Sequence, residues 1–227
     1  MRCHVAFTPA EAAAAPLGIV VDLMRATSTV AQALASGYRR VLCCAEIEDA
    51  RALREELGDE AITGGEQEAG RIEGFDAGAS PREFREPRAA TLILSTTNGT
   101  RSIVAAAEAC DEVVLGALLN LDAVAAYARE RGEDVTVLCA GNVGAFAIDD
   151  AYCAGRIVRL VGGERTDAAI AAELVAERFP SAIDGINART YGPPGLEEDI
   201  AWVAQESVLD VVPRFTRMVG PAAEVVA

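Results

Sequence analysis

Short apolar, β-branched runs and stretches of helical spacing take turns along this chain. Residues 18–21 form an apolar strand signal and 30–36 carry helical spacing that stops at Gly37, so 22–29 reads as the turn between strand and helix. The same alternation predicts strands at 40–44, 61–63, 91–95, 112–115 and 135–140. Helices are expected at 47–57, 102–109, 122–131, 166–179 and 196–207, and another runs through Leu160 after the glycine-containing stretch 141–150. Segments 64–81 and 185–195 read as loops, and the tail 209–215 is expected to end the fold. Such alternation predicts an α/β fold of three layers, α/β/α, around a mostly parallel or mixed sheet. No linker or repeat divides the chain, which implies a single domain over 1–227.

Composition prunes the chemistry. A formal charge of -15 argues against a nucleic acid or an anionic membrane as partner, so an anionic ligand has to be held by local groups. No lysine occurs, which removes P-loop and Schiff-base lysine mechanisms, and the single histidine, His4, lies at the start of the chain, away from any triad or multi-histidine zinc pattern. The six cysteines contain no CxxC pair and read as reduced core residues; the C-x5-R spacing of Cys153 and Arg159 falls inside a helical pattern without an anion loop and is read as coincidence. The apolar run 12–21 is broken by Pro16 and Gly18 and suits neither a signal sequence nor a membrane span, so a cytoplasmic protein is expected. A homo-oligomer is compatible with all of this.

What remains is carboxylate, arginine and hydroxyl at strand-to-helix turns, where ligands collect in open α/β sheets. Asp22 can hold a hard cation, Arg25 can fork onto a phosphate, and Thr27, Ser28 and Thr29 can cap the helix, the last reading being the simpler one for the hydroxyls. The turn Thr96-Thr-Asn-Gly-Thr-Arg101 repeats that logic with Asn98, Gly99 and Thr100 ahead of a helix and Arg101 as a second guanidinium. Asp149 and Asp150 precede another helix, where plain dipole complementation is the competing explanation.

Taken together, Val21-Asp-Leu-Met-Arg-Ala-Thr-Ser-Thr29, Gly65-Glu66, Gly74-Phe-Asp-Ala-Gly-Ala-Ser-Pro81, Thr96-Thr-Asn-Gly-Thr-Arg101, Cys139-Ala-Gly141, Asp149-Asp150 and Val211-Val-Pro213 make the chain resemble the ComB family of Mg2+-dependent 2-phosphosulfolactate phosphatases. The resemblance spans almost the whole chain and implies an α/β fold, Mg2+ as cofactor, and hydrolysis of 2-phosphosulfolactate to sulfolactate and phosphate, a step toward coenzyme M. It departs at Gln67, where arginine commonly follows Gly-Glu, at Ala79, where asparagine is usual, and at Asp149, where glutamate is usual. The first two departures suggest that the 64–81 loop closes over the metal site and governs substrate choice.

The leading expectation is therefore a Mg2+-dependent phosphatase for 2-phosphosulfolactate or a related small phospho-hydroxy acid. Metal ligands and a general acid or base are drawn from Asp22, Glu66, Asp76, Asp149 and Asp150. Arg25 and Arg101 are expected to neutralise phosphoryl oxygens, with Asp22 and Asp150 also catalytic, and Thr27, Ser80, Asn98, Gly99 and Thr100 to bind substrate. The alternatives are a non-catalytic binder of anionic metabolites and a haloacid-dehalogenase-like phosphatase with Asp22 as nucleophile, a motif that wants an aspartate where Met24 stands.

Overall fold

The structure, a computed structural model, describes residues 1–67, 70–96, 98–192 and 194–227. Eleven strands are described: β1 (Arg2–Ala6), β2 (Ala15–Val21), β3 (Arg40–Cys44), β4 (Ala61–Gln67), β5 (Gly70–Arg71), β6 (Thr91–Ser95), β7 (Cys110–Leu115), β8 (Val135–Cys139), β9 (Glu164–Arg165), β10 (Arg214–Val219) and β11 (Ala222–Val226). The helices are α1 (Ala26–Ala35), α2 (Ile47–Leu57), α3 (Gly99–Ala109), α4 (Leu121–Arg131), α5 (Ile148–Val161), α6 (Asp167–Arg178), α7 (Ala182–Asn187) and α8 (Glu197–Val203). The strands join one mixed sheet in the order β5-β4-β6-β3-β11-β10-β7-β2-β8-β1-β9, so the fold is α/β as expected.

Alternation along the strands explains the layering. Leu17, Ile19 and Val21 of β2 face a core built with α4, α5 and α6, whereas Val20 faces the opposite side, where it meets Val30 of α1 and Ile103 of α3. In the other half of the sheet, Val41 and Cys43 of β3 join that α1–α3 core, while Leu42 and Cys44 pack with Ala50 and Leu53 of α2. Helices thus cover both faces.

The predicted elements are found with shifted ends. Helix α1 begins four residues earlier than its spacing indicated, so Thr27, Ser28 and Thr29 lie in its first turns and the true turn is 22–25. Their hydroxyls bond the Asp22, Leu23 and Ala79 carbonyls, which satisfies them inside the fold. Strand β4 is longer than 61–63 and turns back into β5, and the described part of 64–81 is pinned to the sheet: Phe75 is buried, Ala77 N–H donates to Thr63 O at 3.0 Å, and Gly64 bridges to Ala77. Residues 68 and 69 of that predicted loop, Thr97 of the 96–101 turn and Pro193 of the 185–195 loop lie outside the described residues.

The largest departure is at the tail. It does not end the fold at 215 but turns at Gly220-Pro221 into the hairpin β10–β11, which sits in the middle of the sheet. Here β11 pairs antiparallel with β3, β10 with β11, and β10 with β7, so strand direction reverses between the β4-β6-β3 half and the β7-β2-β8-β1 half. The register shift between Phe215 and Arg217 and the single pair Arg214–Val114 mark where the sheet bends, as bulges do. Among the described residues no helix is long and apolar enough to cross a membrane.

Candidate active site

Carboxyl ends from both halves of the sheet line one cavity of about 440 Å³: Asp22 follows β2, Gly141 follows β8, Glu66 belongs to the end of β4, and Thr96 and Asn98 follow β6. Because those halves run in opposite directions, the sheet must curl across the C-terminal hairpin for their carboxyl ends to meet.

Three aspartates cluster there. Asp22 sits on the turn into α1, where its Oδ1 accepts the Ala26 N–H at 3.3 Å and its backbone is closed by Thr27. Asp150, in the first turn of α5, accepts the Leu23 N–H at 2.8 Å through Oδ1 and the Gly141 N–H at 2.9 Å through Oδ2, stapling the end of β2 to the turn after β8. Asp149 accepts the Tyr191 hydroxyl through Oδ1, while its buried Oδ2 has no hydrogen-bond partner among the described residues.

Burial raises the pKa of all three, and like charges add to it at Asp22 and Asp150. Asp22 is pushed up to about 7, chiefly by desolvation, with Asp149 and Glu66 as further negative neighbours. Asp150 lies well above the carboxylate range, first through desolvation and then through Asp149 and Asp22; Asp149 is raised by burial in spite of the bond from Tyr191. The same burial and the same negative charges raise the Tyr191 phenol, which keeps it a hydrogen-bond donor.

Helix α3 closes one side. A Cβ on Gly99 would sit 2.5 Å from Ala26 Cβ and 3.0 Å from Asp22 Oδ2, so only glycine lets this helix start approach Asp22. Its first N–H groups lack partners within the helix and favour an anion, and the buried Thr100 hydroxyl beside them has no partner among the described residues.

The predicted site residues divide clearly. Asp22, Arg25, Glu66, Asn98 and Asp150 line the cavity; Asp149 acts on Asp22 and Asp150, Gly99 lies against Asp22, and Thr100 follows Gly99 in the first turn of α3. Thr27 is spent on the Asp22 backbone. Ser80 donates to Asp199, the acid that also pairs with Arg25. Asp76 is held elsewhere: it accepts the Thr63 N–H and hydroxyl at 2.8 and 2.9 Å and faces Arg54, and these outweigh partial burial to keep its pKa low. Arg101 is 62% exposed, pairs with Glu46 and does not line the cavity.

Sequence reasoning missed Arg189, Tyr191 and Asp199. The first two lie in a glycine- and proline-rich stretch read only as loop, where an arginine and a tyrosine beside Gly192 were the available signal. Asp199 resembles any acid on an amphipathic helix until Arg25 is found against it.

Among the described residues no three His, Cys, Asp or Glu side chains converge as a ready-made ion cage. Mg2+ needs none, since it commonly takes one or two carboxylates and completes its shell with water and substrate phosphate. The all-oxygen donors, the mutual repulsion of three buried acids and the unpartnered Asp149 Oδ2 fit such an ion.

Strand ends that gather buried acids, two guanidinium groups and a helix N-terminus around a small cavity have the make-up of a candidate site in an α/β enzyme. The family model for 2-phosphosulpholactate phosphatase matches residues 5–218. A protein of Clostridium acetobutylicum named probable 2-phosphosulfolactate phosphatase is 36% identical over 209 residues, covering 87% of this chain and 88% of the relative. One of Thermus thermophilus with the same name is 34% identical over 234 residues, covering 98% of each. The chain belongs to the 2-phosphosulpholactate phosphatase family, a family of phosphoric monoester hydrolases.

Proposed function

We propose that this protein is a Mg2+-dependent phosphatase that hydrolyses 2-phosphosulfolactate, or a closely related phospho-hydroxy acid, to the hydroxy acid and phosphate. The observation that carries this reading is a set of neighbouring buried acids, Asp22, Asp149 and Asp150, of which Asp22 lies against the N-terminus of α3. Relatives named for this activity cover nearly the whole chain.

Asp22 and Asp149 are the residues that would hold the cation, Asp149 through its unpartnered oxygen; Asp150, with both oxygens committed to backbone N–H groups, fixes the frame. When bound, the ion supplies positive charge that draws the phosphoryl oxygens and offsets charge developing on them. The chain's own groups do the rest. The N–H groups at the start of α3 and the guanidinium of Arg25 receive phosphoryl oxygens, with Arg25 held by Asp199 at 2.7 Å. Water attacks phosphorus, the bond from phosphorus to the ester oxygen breaks, and that oxygen takes up a proton. With Asp22 and Asp149 on the cation and Asp150 on the frame, Glu66 is the lining acid that moves the proton.

Phosphate release from 2-phosphosulfolactate, assayed with added Mg2+ and after exhaustive EDTA treatment, tests this. Activity should be present in the first case, absent in the second and restored by Mg2+. Full activity after chelation would overturn the metal assignment, and ligand binding without phosphate release would favour the non-catalytic binder.

A further inference from the structure

Two guanidinium groups line the cavity, and their surroundings differ. Arg25 Nη1 lies 2.7 Å from Asp199 Oδ2, with side chains only 11% and 7% exposed, so its charge is balanced inside the protein. It acts on Asp22, which places it at the α1–α3 end of the site. Arg189 follows the last turn of α7, where its Nη1 donates to the Ile186 carbonyl at 3.2 Å, and among the described residues it forms no ion pair. Its positive charge acts on Asp149. Two residues on, Tyr191 donates to Asp149, so the segment that carries Arg189 is tied to the acidic cluster and its guanidinium is fixed relative to it.

A cavity lined by two guanidinium groups in different surroundings suits a ligand with more than one anionic group. The phosphoryl group belongs with Arg25 and the start of α3. A chain of net charge -15 without lysine repels any further anionic group unless a local cation receives it, and the lining guanidinium that forms no ion pair among the described residues is Arg189. Its planar fork can take two oxygens of one acid group.

We propose that Arg189 is the specificity-determining residue of this site and binds a second acidic group of the substrate, a carboxylate or sulfonate remote from the phosphate ester. This rests on the phosphatase reading above. The test compares the parent, Arg189→Gln and Arg189→Lys on 2-phosphosulfolactate, 2-phospholactate and isopropyl phosphate, which carry two, one and no such acid groups. Arg189→Gln should lower kcat/KM about tenfold or more for the substrate whose acid it binds, mainly through KM, and less than about twofold for isopropyl phosphate, with Arg189→Lys between parent and Gln. Loss on both acid substrates identifies the carboxylate, and loss on 2-phosphosulfolactate alone identifies the sulfonate. Equal loss on all three, or no loss, overturns the proposal while leaving the phosphatase reading intact. If the parent releases phosphate from none of them, that reading fails, and calorimetric titration with sulfolactate decides Arg189 separately. Parent binding weakened about tenfold in Arg189→Gln upholds it; equal binding, or none by the parent, overturns it.

Discussion

At Asp22 the fold holds an acid under conditions that oppose its charge. Its folded pKa of about 7 exceeds the ordinary 3.8, so folding favours the protonated form. That contribution is complete below the unfolded pKa and is lost as pH rises from about 4 through about 7, and the shift corresponds to something on the order of 4 kcal/mol. Asp22→Asn cannot ionise. The metal-free variant should therefore match the parent in Tm near pH 4 and exceed it near pH 8, while losing roughly 100-fold or more in kcat with Mg2+ present. A variant no more stable than the parent at pH 8 would mean that Asp22 ionises there without cost, and wild-type turnover would make it only a helix-start residue. Arg101 gives the opposite expectation. Sequence placed it at the phosphate, but its exposed pair with Glu46 is screened by solvent and contributes about 1 kcal/mol at most. Steady-state kinetics of Arg101→Lys should show kcat and KM within about twofold of the parent; a larger change would return this guanidinium to the site.

At the scale of elements, the approach of α3 to the turn before α1 depends on one missing Cβ. Gly99→Ala would force Ala26 or the helix start to move, costing about 1–3 kcal/mol by overpacking and withdrawing the N–H groups from the anion. Activity should then fall by more than the Tm shift explains, and a fully active Gly99→Ala would show that the α3 terminus does not touch the reacting group. This part of the site was legible because its residues are local: Asp22, Asn98 and Gly99 each lie at a strand-to-helix turn whose period changes within a few positions. The 182–199 region was not. Arg189 and Tyr191 carry no period, and they gain meaning only from Asp149, about forty residues earlier, just as Asp199 gains it from Arg25. Asp76 shows the converse error. The sequence puts it in the pool of metal ligands as an acid of the 64–81 segment, yet its carboxylate is held by Thr63 of β4.

For the whole molecule, the C-terminal hairpin decides whether the two halves of the site face each other. Local pattern showed alternating strands and helices, but strand order depends on pairing between distant segments, and the Ala-rich run 222–226 beside Gly220-Pro221 gave little sign that it lies at the centre of the sheet. Ala222, Ala223 and Val225 are fully buried, Glu224 bonds Arg40 at 3.0 Å and Arg217 at 3.1 Å, and β11 and β10 supply the pairing partners of β3 and β7. Removing residues 214–227 strips β3 of its β11 partner, takes the Arg214–Val114 pair from β7 and opens the core beneath them. Val225 alone stabilises by about 2 kcal/mol, and each buried backbone group left unpaired costs about 1–3 kcal/mol more. Several such losses together exceed the roughly 5–15 kcal/mol by which a domain is stable. The truncated chain should therefore lack a cooperative thermal transition and all phosphatase activity, as read by calorimetry and phosphate release. If it instead unfolds cooperatively near the parent Tm and still hydrolyses substrate, the halves hold their relation without the hairpin, and the curl of the sheet has another cause.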